Sequence, residues 1–282
     1  MDDLMKDAFT PGNPLVLVGC GHMGRALASG WLKAGLNPDA LYVVDPGAKA
    51  EVLPQVPSDH FATSIDLLGK RLIAGAVILA VKPQIMDGVL PQLAALVDQT
   101  TLVISIAAGV TLGQMVRGLD GRAVSVRAMP NTPAAVGAGI TGLTAGATIT
   151  DQQKQLVCDL LSATGNTVWI ESEDQMNMVT ALSGSGPAYV LYLVEVMAAA
   201  GVRGGLSKDV AMQLARQTVV GSARLMDVEK DVPAADLRRR VTSPGGTTAA
   251  ALDILMQEEG GMASLMQKAI EAADKRAEEL AG

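Results

Sequence analysis

The chain contains very few aromatic, cysteine and histidine residues. Only 2% of its 282 residues are aromatic, and it has two cysteines and two histidines. Cys20 and Cys158 are too few for a disulfide framework, which favours a reducing compartment such as the cytoplasm. His22 and His60 belong to no cluster of His, Cys and carboxylates at ligand spacing, so the sequence predicts no metal site.

The sequence also lacks an excess of positive charge and a long apolar run. The net charge is −7, which argues against a nucleic-acid partner. The largest basic cluster, Arg238–Arg240, is either a solvated helix face or a cationic spot facing a substrate. Residues 1–13 form a polar leader with an acidic start rather than a signal peptide. The most apolar helical stretch, 189–200, is too short to span a bilayer, so we expect no membrane partner.

A glycine-rich turn near the N-terminus follows the apolar run 15–18, which is typical of a buried parallel strand. The turn has the pattern GxGxxG and consists of Gly19, Cys20, Gly21, His22, Met23 and Gly24. A helical pattern comes next. In this context the first glycine permits a tight turn, the second lets a pyrophosphate approach the backbone, and the third lets the helix pack on the strand. The sequence therefore predicts dinucleotide binding, with a merely structural turn as the alternative.

An acidic residue ends the second predicted strand, 41–44. Asp45 stands about twenty positions beyond the last glycine of the turn, the spacing of the acid that binds ribose hydroxyls. Such an acid favours NAD(H), because it would repel a 2′-phosphate. Lys49 follows closely and offers charge that would offset this repulsion. The sequence thus leaves the choice between NADH and NADPH open.

Strands and helices alternate through the first part of the chain. Beyond the first two strands, apolar runs predict strands at 76–80, 102–105, 123–126 and 167–170, with helices at 84–98, 111–118 and 151–163. This alternation predicts an α/β fold, in which residues 1–172 form a Rossmann domain with a doubly wound parallel sheet. Ligands of such sheets bind beyond the carboxyl ends of the strands, so the loops at those ends should line a cofactor crevice.

No strand pattern is visible after residue 172, and residues 173–282 are predicted to form an all-α domain. A helix over 176–200 is interrupted by the small-residue run 182–187, where Ser183 and Ser185 either offer hydroxyls to a ligand or mark a kink. Further helices are expected from Ser207, after the threonines at 247 and 248, and over 263–280. Their apolar faces need cover, which predicts a homo-oligomer with interlocking helices.

A second glycine loop, at residues 242–249, reads TSPGGTTA and precedes an apolar helix pattern. Thr247 and Thr248 are predicted at the N-cap of that helix. A glycine loop at a helix N-terminus presents free backbone N–H groups and the positive end of the helix dipole, which together bind a carboxylate or phosphate. An ordinary capped loop is the alternative.

The side chains around these loops favour reduction of an imine. Neither histidine lies where a substrate base would be needed, and Ser183 and Ser185 have no histidine to complete a hydrolytic triad. Oxidation of an alcohol needs a strong base, whereas a protonated imine needs hydride delivery and a hydrogen-bond donor. We therefore expect a threonine hydroxyl as the donor and the second glycine loop as the carboxylate site.

Six segments together resemble the pyrroline-5-carboxylate reductase family. They are GCGHMG (19–24), AVKPQ (80–84), SIAAGVTL (105–112), RAMPNTP (127–133), LSGSGPAYV (182–190) and SPGGTT (243–248). The similarity runs in order from residue 15 to residue 270. The resemblance implies reduction of L-1-pyrroline-5-carboxylate to L-proline, the last step of proline biosynthesis, with NADPH or NADH. It also implies a homodimer formed through the helical domain, with dimers assembling into rings such as decamers.

The motifs and the resemblance together give two sets of candidate residues. The cofactor candidates are Gly19, Cys20, Gly21, His22, Met23, Gly24, Asp45, Ser64, Ala80, Val81, Lys82, Pro83, Ala107 and Ala108. The substrate candidates are Glu173, Ser183, Ser185, Ser243, Gly245, Gly246, Thr247 and Thr248. Thr248 matches the threonine proposed to hydrogen-bond the ring nitrogen, so it is the catalytic candidate. His22 stands where members commonly have Asn or Gln, and Ser64 where some have Asn against the adenosine.

Two other functions stay open on the sequence alone. A dehydrogenase of the 3-hydroxyacid or 6-phosphogluconate type has the same two-part architecture but needs a catalytic lysine in the helical domain. The candidates Lys208 and Lys230 do not lie in a glycine-rich helix. A non-catalytic NAD(P)-binding sensor would keep the first glycine loop, but it would have no need of an intact loop at 243–248.

Overall fold

The computed structural model describes residues 8–47, 49–68 and 72–281, so part of the predicted polar leader 1–13 lies outside the described residues. Contacts divide the chain into two compact units. The first unit runs to Gly184 and includes the C-terminal residues from Asp274, and the second is Ser185–Ala273. This division falls inside a helical stretch, beyond the boundary at 172/173 that the sequence predicts.

The first unit is built on a sheet that has eight strands among the described residues. They are β1 (Leu15–Val18), β2 (Leu41–Val44), β3 (Phe61–Ala62), β4 (Ala76–Leu79), β5 (Leu102–Ser105), β6 (Val124–Met129), β7 (Gly139–Ala145) and β8 (Gly165–Trp169). Their order is β3-β2-β1-β4-β5-β6-β7-β8. Neighbouring strands are parallel, except that β7 runs antiparallel to β6. The predicted doubly wound parallel sheet is confirmed, except for the antiparallel pairing of β7 with β6.

Within the described residues, the α-helices of this unit alternate with the strands. They are α1 (His22–Lys33), α2 (Met86–Val89), α3 (Leu112–Gly118), α4 (Asp151–Ser162) and α5 (Met176–Val179). The predicted helix at 84–98 is wrong in its extent, since 3-10 turns at Pro83–Ile85 and Leu90–Ala95 flank the short α2. Pro91 has no N–H to donate and clashes with the carbonyl four residues earlier, so an α-helix cannot run through it.

The central strands are buried on both faces. In β1, Leu15 and Leu17 join one apolar cluster, which includes Trp31, whereas Val16 and Val18 join a second cluster. Successive side chains of a strand point to opposite faces of the sheet. Burial on both faces is the reason that these strands are uninterrupted apolar runs in the sequence.

Two indole groups fix α4 in this unit. Trp31 on α1 is fully buried, and its Nε1–H donates to the carbonyl of Leu160 at 2.6 Å. Trp169 on β8 donates its Nε1–H to the Cys158 sulfur at 3.2 Å, and the Lys154 ammonium lies 5.8 Å from the centre of its ring. With aromatic residues so scarce, both tryptophans serve to anchor one helix.

Two strands are not among those that the apolar runs of the sequence predict. β3 has only two residues, and β7 contains two glycines, which are rare in strands. At Gly142 in β7, an added Cβ would lie 2.5 Å from the Val179 side chain. Glycine therefore lets α5 pack directly against the strand, which a sequence pattern does not reveal.

The second unit is helical, as the sequence predicts. Its α-helices, among the described residues, are α6 (Gly186–Arg203), α7 (Lys208–Val228), α8 (Ala234–Arg240), α9 (Thr247–Leu255) and the first part of α10 (Met262–Ala281). The prediction that Ser207 caps a helix is confirmed, because its hydroxyl accepts the N–H of Val210 at the start of α7. Arg239 and Arg240 form ion pairs with Asp236 and Glu229 at partly exposed positions.

The expected interruption at residues 182–187 takes the form of a π turn. α5 leads into a π-helical segment, Thr180–Gly184, and α6 begins at Gly186. Pro187 lies in the first turn of α6, where a missing N–H costs nothing. Single π turns of this kind occur frequently at functional sites, because they displace side chains from the regular helical register.

Candidate functional site

The three glycines of the first loop are crowded to different degrees. Gly19 has φ of +97°, and an added Cβ there would lie 2.5 Å from the Ala80 carbonyl oxygen. At Gly24, an added Cβ would lie 2.2 Å from the Gly19 carbonyl oxygen. Gly21 has nothing within 4 Å of its added Cβ, so it faces open space. A diphosphate placed there could reach the backbone, as the dinucleotide fit requires.

The helix that follows the loop begins without a side-chain cap. Its N-cap is Gly21, which makes no side-chain cap bond, and α1 starts at His22. The first N–H groups of a helix have no partner within the helix. These N–H groups and the positive end of the helix dipole are therefore available to bind an anion. This end of α1 suits a phosphate group.

A cavity of about 500 Å³ adjoins the loop at the carboxyl ends of β1, β2 and β4. The predicted cofactor residues that line it are Gly19, Gly21, Asp45, Ser64, Ala80, Val81 and Lys82. Thr63, Ile65 and Gln92 also line the cavity and have no motif in the sequence to mark them. Thr63 and Ile65 follow the two-residue strand β3, which is too short to leave a pattern.

Asp45 is held by the backbone on both sides. Its Oδ2 accepts the N–H of Cys20 at 2.7 Å, and its Oδ1 accepts the N–H of Gly47 at 2.7 Å. Hydrogen bonds to an ionised acceptor are stronger than neutral ones. The carboxylate thus ties the end of β2 to the glycine loop.

Cys20 acts through its backbone. Its side chain is buried in the core, and its carbonyl accepts a hydrogen bond from Arg25 Nε at 3.0 Å. Burial raises the pKa of the Cys20 thiol, and the neighbouring Asp45 adds to this effect while Arg25 opposes it. The thiol therefore stays protonated at neutral pH and is a poor nucleophile.

The other cofactor candidates lie outside the 500 Å³ cavity. His22 lines a second cavity of about 550 Å³ in the first unit, beside Arg25 and Lys33. Met23 is half-buried against the core. Ala107, after β5, is buried, whereas Pro83 and Ala108 are exposed.

Glu173 is bound to two groups of the first unit. Its Oε1 accepts the backbone N–H of Leu112 at 2.8 Å and a guanidinium N–H of Arg127 at 3.0 Å. The Arg127 side chain is 5% exposed and that of Glu173 is 29% exposed. The sequence suggests Glu173 as a substrate ligand. In the structure this oxygen joins the start of α3, strand β6 and the start of the helical stretch.

The serines of the π turn are half-buried. The Ser183 hydroxyl donates to the Val179 carbonyl at 2.9 Å, and the Ser183 carbonyl accepts from Asn131 Nδ2 at 3.1 Å. Asn131 also accepts the N–H of Ile140 at 3.0 Å through Oδ1. Ser185 stands before α6 without a side-chain cap bond. Asn131 thus holds the π turn to the start of β7.

The second glycine loop lies in the second unit and leads directly into α9. Gly245 has φ of +69°, and the Gly246 N–H donates to the Ser243 carbonyl at 3.0 Å. The N-cap of α9 is Gly246, which makes no side-chain cap bond. The expectation that Thr247 or Thr248 is the N-cap is therefore wrong. The chain enters the helix one residue earlier because the loop closes at Gly246, so both threonine hydroxyls are left available at the first turn.

The geometry of each unit defines a ligand type. In the first unit, Gly21 lies at an uncapped helix end and fits a diphosphate. Asp45 follows at the sequence spacing typical of the acid that binds the ribose. In the second unit, a glycine loop at another uncapped helix end fits a carboxylate. No group of three or more His, Cys, Asp or Glu residues that could hold a metal occurs among the described residues.

Two family models match different parts of the chain. Residues 173–280 match the family model for pyrroline-5-carboxylate reductase dimerisation, and residues 14–109 match a model for coenzyme F420-dependent NADP oxidoreductases. Fold and site thus define an NAD(P)-dependent oxidoreductase with a Rossmann domain and a helical dimerisation domain.

Relatives narrow this class. The chain is 37% identical to a pyrroline-5-carboxylate reductase of Pseudomonas aeruginosa, over 95% of this chain and 96% of the relative. A solved pyrroline-5-carboxylate reductase of Coxiella burnetii has a TM-score of 0.87 at 38% identity, covering 96% of this chain and 99% of its own. A Plasmodium falciparum pyrroline carboxylate reductase with NADP bound has a TM-score of 0.78 at 30% identity, covering 97% and 100%. The chain belongs to the pyrroline-5-carboxylate reductase family.

Proposed function

We propose that the protein reduces L-1-pyrroline-5-carboxylate to L-proline with a reduced nicotinamide coenzyme. The observation that carries the proposal is the presence of two uncapped, glycine-led helix ends, one at Gly21 and one at Gly246. The first suits the diphosphate of the coenzyme, and the second suits the carboxylate of the substrate. Membership of the pyrroline-5-carboxylate reductase family indicates the reaction that these two helix ends serve. That reaction consumes the cyclic imine as the final step of proline formation.

The chemistry asks little of the side chains. When bound, the reduced coenzyme supplies a hydride to the carbon of the protonated C=N bond, and the electron pair of that bond moves to nitrogen. Backbone N–H groups of Gly245, Thr247 and Thr248 hold the substrate carboxylate, and the Thr248 hydroxyl hydrogen-bonds the ring nitrogen. No strong base is needed, because the imine is protonated before the hydride arrives.

The observed features support neither of the two alternative functions, the lysine-dependent dehydrogenase and the non-catalytic sensor. A 3-hydroxyacid or 6-phosphogluconate type dehydrogenase would use a lysine of the helical unit as its base, but Lys208 opens α7, Lys230 follows its end, and both are exposed. A sensor without catalysis would not need the carboxylate loop at 243–248. Incubating the purified protein with pyrroline-5-carboxylate and either coenzyme tests all three functions, since proline should form only if the reductase assignment is right.

Replacing Thr248 with alanine should lower kcat/KM for pyrroline-5-carboxylate about tenfold to a hundredfold. The loss corresponds to one hydrogen bond of roughly 1.5–3 kcal/mol. Steady-state kinetics measures it, with Thr248→Ser expected to recover most of the activity. Thr218→Ala is a matched control, because its hydroxyl donates only to the Leu214 carbonyl on an exposed face of α7. Unchanged kcat/KM in Thr248→Ala would remove this residue from the mechanism.

We propose further that the helical unit forms a homodimer, and that dimers assemble into larger rings such as decamers. Large apolar side chains are exposed along its helices, among them Leu191, Tyr192 and Leu214 at 65%, 64% and 55%. Apolar surface on this scale favours association with a second copy. The match of 173–280 to a dimerisation family supports the same assignment.

Replacing Leu191 with lysine should shift the protein from an oligomer towards monomer. A charge placed in an apolar interface is costly unless it is paired. Light scattering after size-exclusion chromatography measures the mass of each form. Leu67→Lys is the control, since Leu67 is 66% exposed but lies in the first unit. A wild-type protein that is monomeric at high concentration would contradict the proposal. If the wild type is oligomeric, its measured mass distinguishes a dimer from a decamer.

We also propose a cytoplasmic location without a membrane partner. Cys20 and Cys158 are free, as suits a reducing compartment. The stretch Glu173–Arg203 is long and apolar enough to cross a membrane, so the prediction that the apolar helix at 189–200 is too short to do so is wrong on length. This is weak evidence for a span, because a core or interface helix of a soluble protein passes the same test. Cell fractionation tests the location: recovery in the membrane pellet would refute it.

A further inference from the structure

We propose that the enzyme selects NADH over NADPH, and that Asp45 is the residue that makes the selection. The inference rests on the proposed reductase function and concerns the same coenzyme site. It starts from the position of Asp45 in the 500 Å³ cavity beside the glycine loop. In Rossmann sites, the acid at this position binds the ribose 2′-hydroxyl, whereas binding of a 2′-phosphate needs an arginine nearby.

The Asp45 carboxylate is fixed in place before any ligand arrives. Its backbone N–H donates to the Ala62 carbonyl at 3.0 Å, so the residue is anchored to β3. Each carboxylate oxygen accepts a backbone N–H at 2.7 Å, one from Cys20 and one from Gly47. Rotating the side chain away to admit a phosphate would break both bonds. The negative charge therefore stays at the edge of the ribose site.

The same bonds remove a donor that a 2′-phosphate would use. Phosphates in such sites are bound by backbone N–H groups and cationic side chains. The Gly47 N–H, just beyond β2, already donates to Asp45. The 2′-hydroxyl of NADH needs no cation, because it can donate to the fixed carboxylate and accept from a neighbour such as Ser64, which lines the same cavity.

Among the described residues, few cationic side chains lie where they could offset the negative charge of Asp45. The cavity is lined by one cationic side chain in the part of the chain that the structure describes, Lys82, which follows β4. Lys49 is exposed and does not line the cavity, and Arg25 directs its Nε to the Cys20 carbonyl. Asp45 forms no ion pair within 4.0 Å with a described residue. Among the described residues, the fixed charge nearest the expected 2′ position is therefore the negative charge of Asp45.

The test compares kcat/KM for NADH and NADPH in the wild type and in Asp45→Ser. We expect the wild type to favour NADH at least tenfold, and Asp45→Ser to shift the ratio at least tenfold towards NADPH. Asp39→Ser is the matched control, because Asp39 is an exposed acid just before β2 and its removal changes the net charge equally. A wild-type preference for NADPH, or an unchanged ratio in Asp45→Ser, would overturn the proposal.

A second readout needs no turnover and no variant. Calorimetric titration of the wild type with NAD⁺ and NADP⁺ should rank NAD⁺ at least tenfold tighter, and 5′-AMP should bind more tightly than adenosine 2′,5′-bisphosphate. If Asp45→Ser fails to fold, Asp45→Asn removes the charge while keeping an acceptor for one backbone N–H. Absence of turnover with both coenzymes would refute the reductase function alone, since the titration still ranks the coenzymes.

Discussion

Replacing Gly24 with alanine is expected to destabilise the first unit by about 3 kcal/mol or more. An added Cβ would lie 2.2 Å from the Gly19 carbonyl oxygen, which is a backbone atom and cannot rotate aside. Overpacking a tight site costs typically 1–3 kcal/mol, and a backbone clash lies at the upper end of that range. Urea unfolding of the protein without coenzyme measures the loss, and coenzyme affinity should fall with it.

Gly21→Ala provides the comparison within the same loop. Gly21 has φ of −70°, and its added Cβ meets nothing within 4 Å, so stability without coenzyme should be unchanged. Coenzyme affinity should nevertheless fall about a hundredfold, roughly 2.7 kcal/mol, because the methyl group occupies the approach to the diphosphate. Equal effects of both variants on stability would show that the crowding at Gly24 does not constrain the loop.

Replacing Glu173 with alanine is expected to lower the free energy of unfolding by about 3 kcal/mol. The change leaves the guanidinium of Arg127 buried without its carboxylate and removes an acceptor from the Leu112 N–H. Removing one partner of a buried ion pair typically costs 3–5 kcal/mol, and the partial exposure of Glu173 places this pair at the lower end. Denaturant unfolding checks the value.

Two further variants separate the ion pair from a general effect of charge. Glu171→Ala removes an exposed carboxylate two residues earlier and should change stability by less than about 0.5 kcal/mol. Arg127→Met combined with Glu173→Ala should be more stable than Glu173→Ala alone, because no charge is then left buried. If Glu173→Ala changes the free energy of unfolding as little as Glu171→Ala does, the ion pair does not stabilise the fold. That result would favour the substrate role that the sequence suggests for Glu173.

The strands that the sequence predicts best are those buried on both faces. The bounds predicted for β1, β2 and β5 agree with the structure, because a wholly apolar run between turn residues marks such a strand. β7 escapes prediction because it combines glycine and threonine and, unlike its neighbours along the chain, pairs antiparallel with β6. The region 84–98 misleads in the opposite way, since its apolar spacing is helical but Pro91 breaks the hydrogen-bond pattern.

The candidate site was predictable where chemistry resides in local sequence. The loops at 19–24 and 243–248 are each recognisable from a few neighbouring residues, and Asp45 is recognisable from its spacing to the first loop. Glu173 is not, because its partner Arg127 is distant in sequence and only the fold brings the two together. The same limit applies to Thr63 and Gln92, since no local motif marks either of them as a residue of the coenzyme cavity.

The placement of the two tryptophans lets fluorescence follow the unfolding of one unit separately from the other. Trp31 and Trp169 both lie in the first unit, and the helical second unit has tyrosine but no tryptophan in its sequence. Trp31 is sealed in the apolar core, whereas Trp169 is half-buried beside a lysine, so their emission should differ in wavelength and in quenching by iodide. Indole emission therefore reports melting of the Rossmann unit alone, while circular dichroism averages over all helices. Comparing the two transitions shows directly whether the units unfold together.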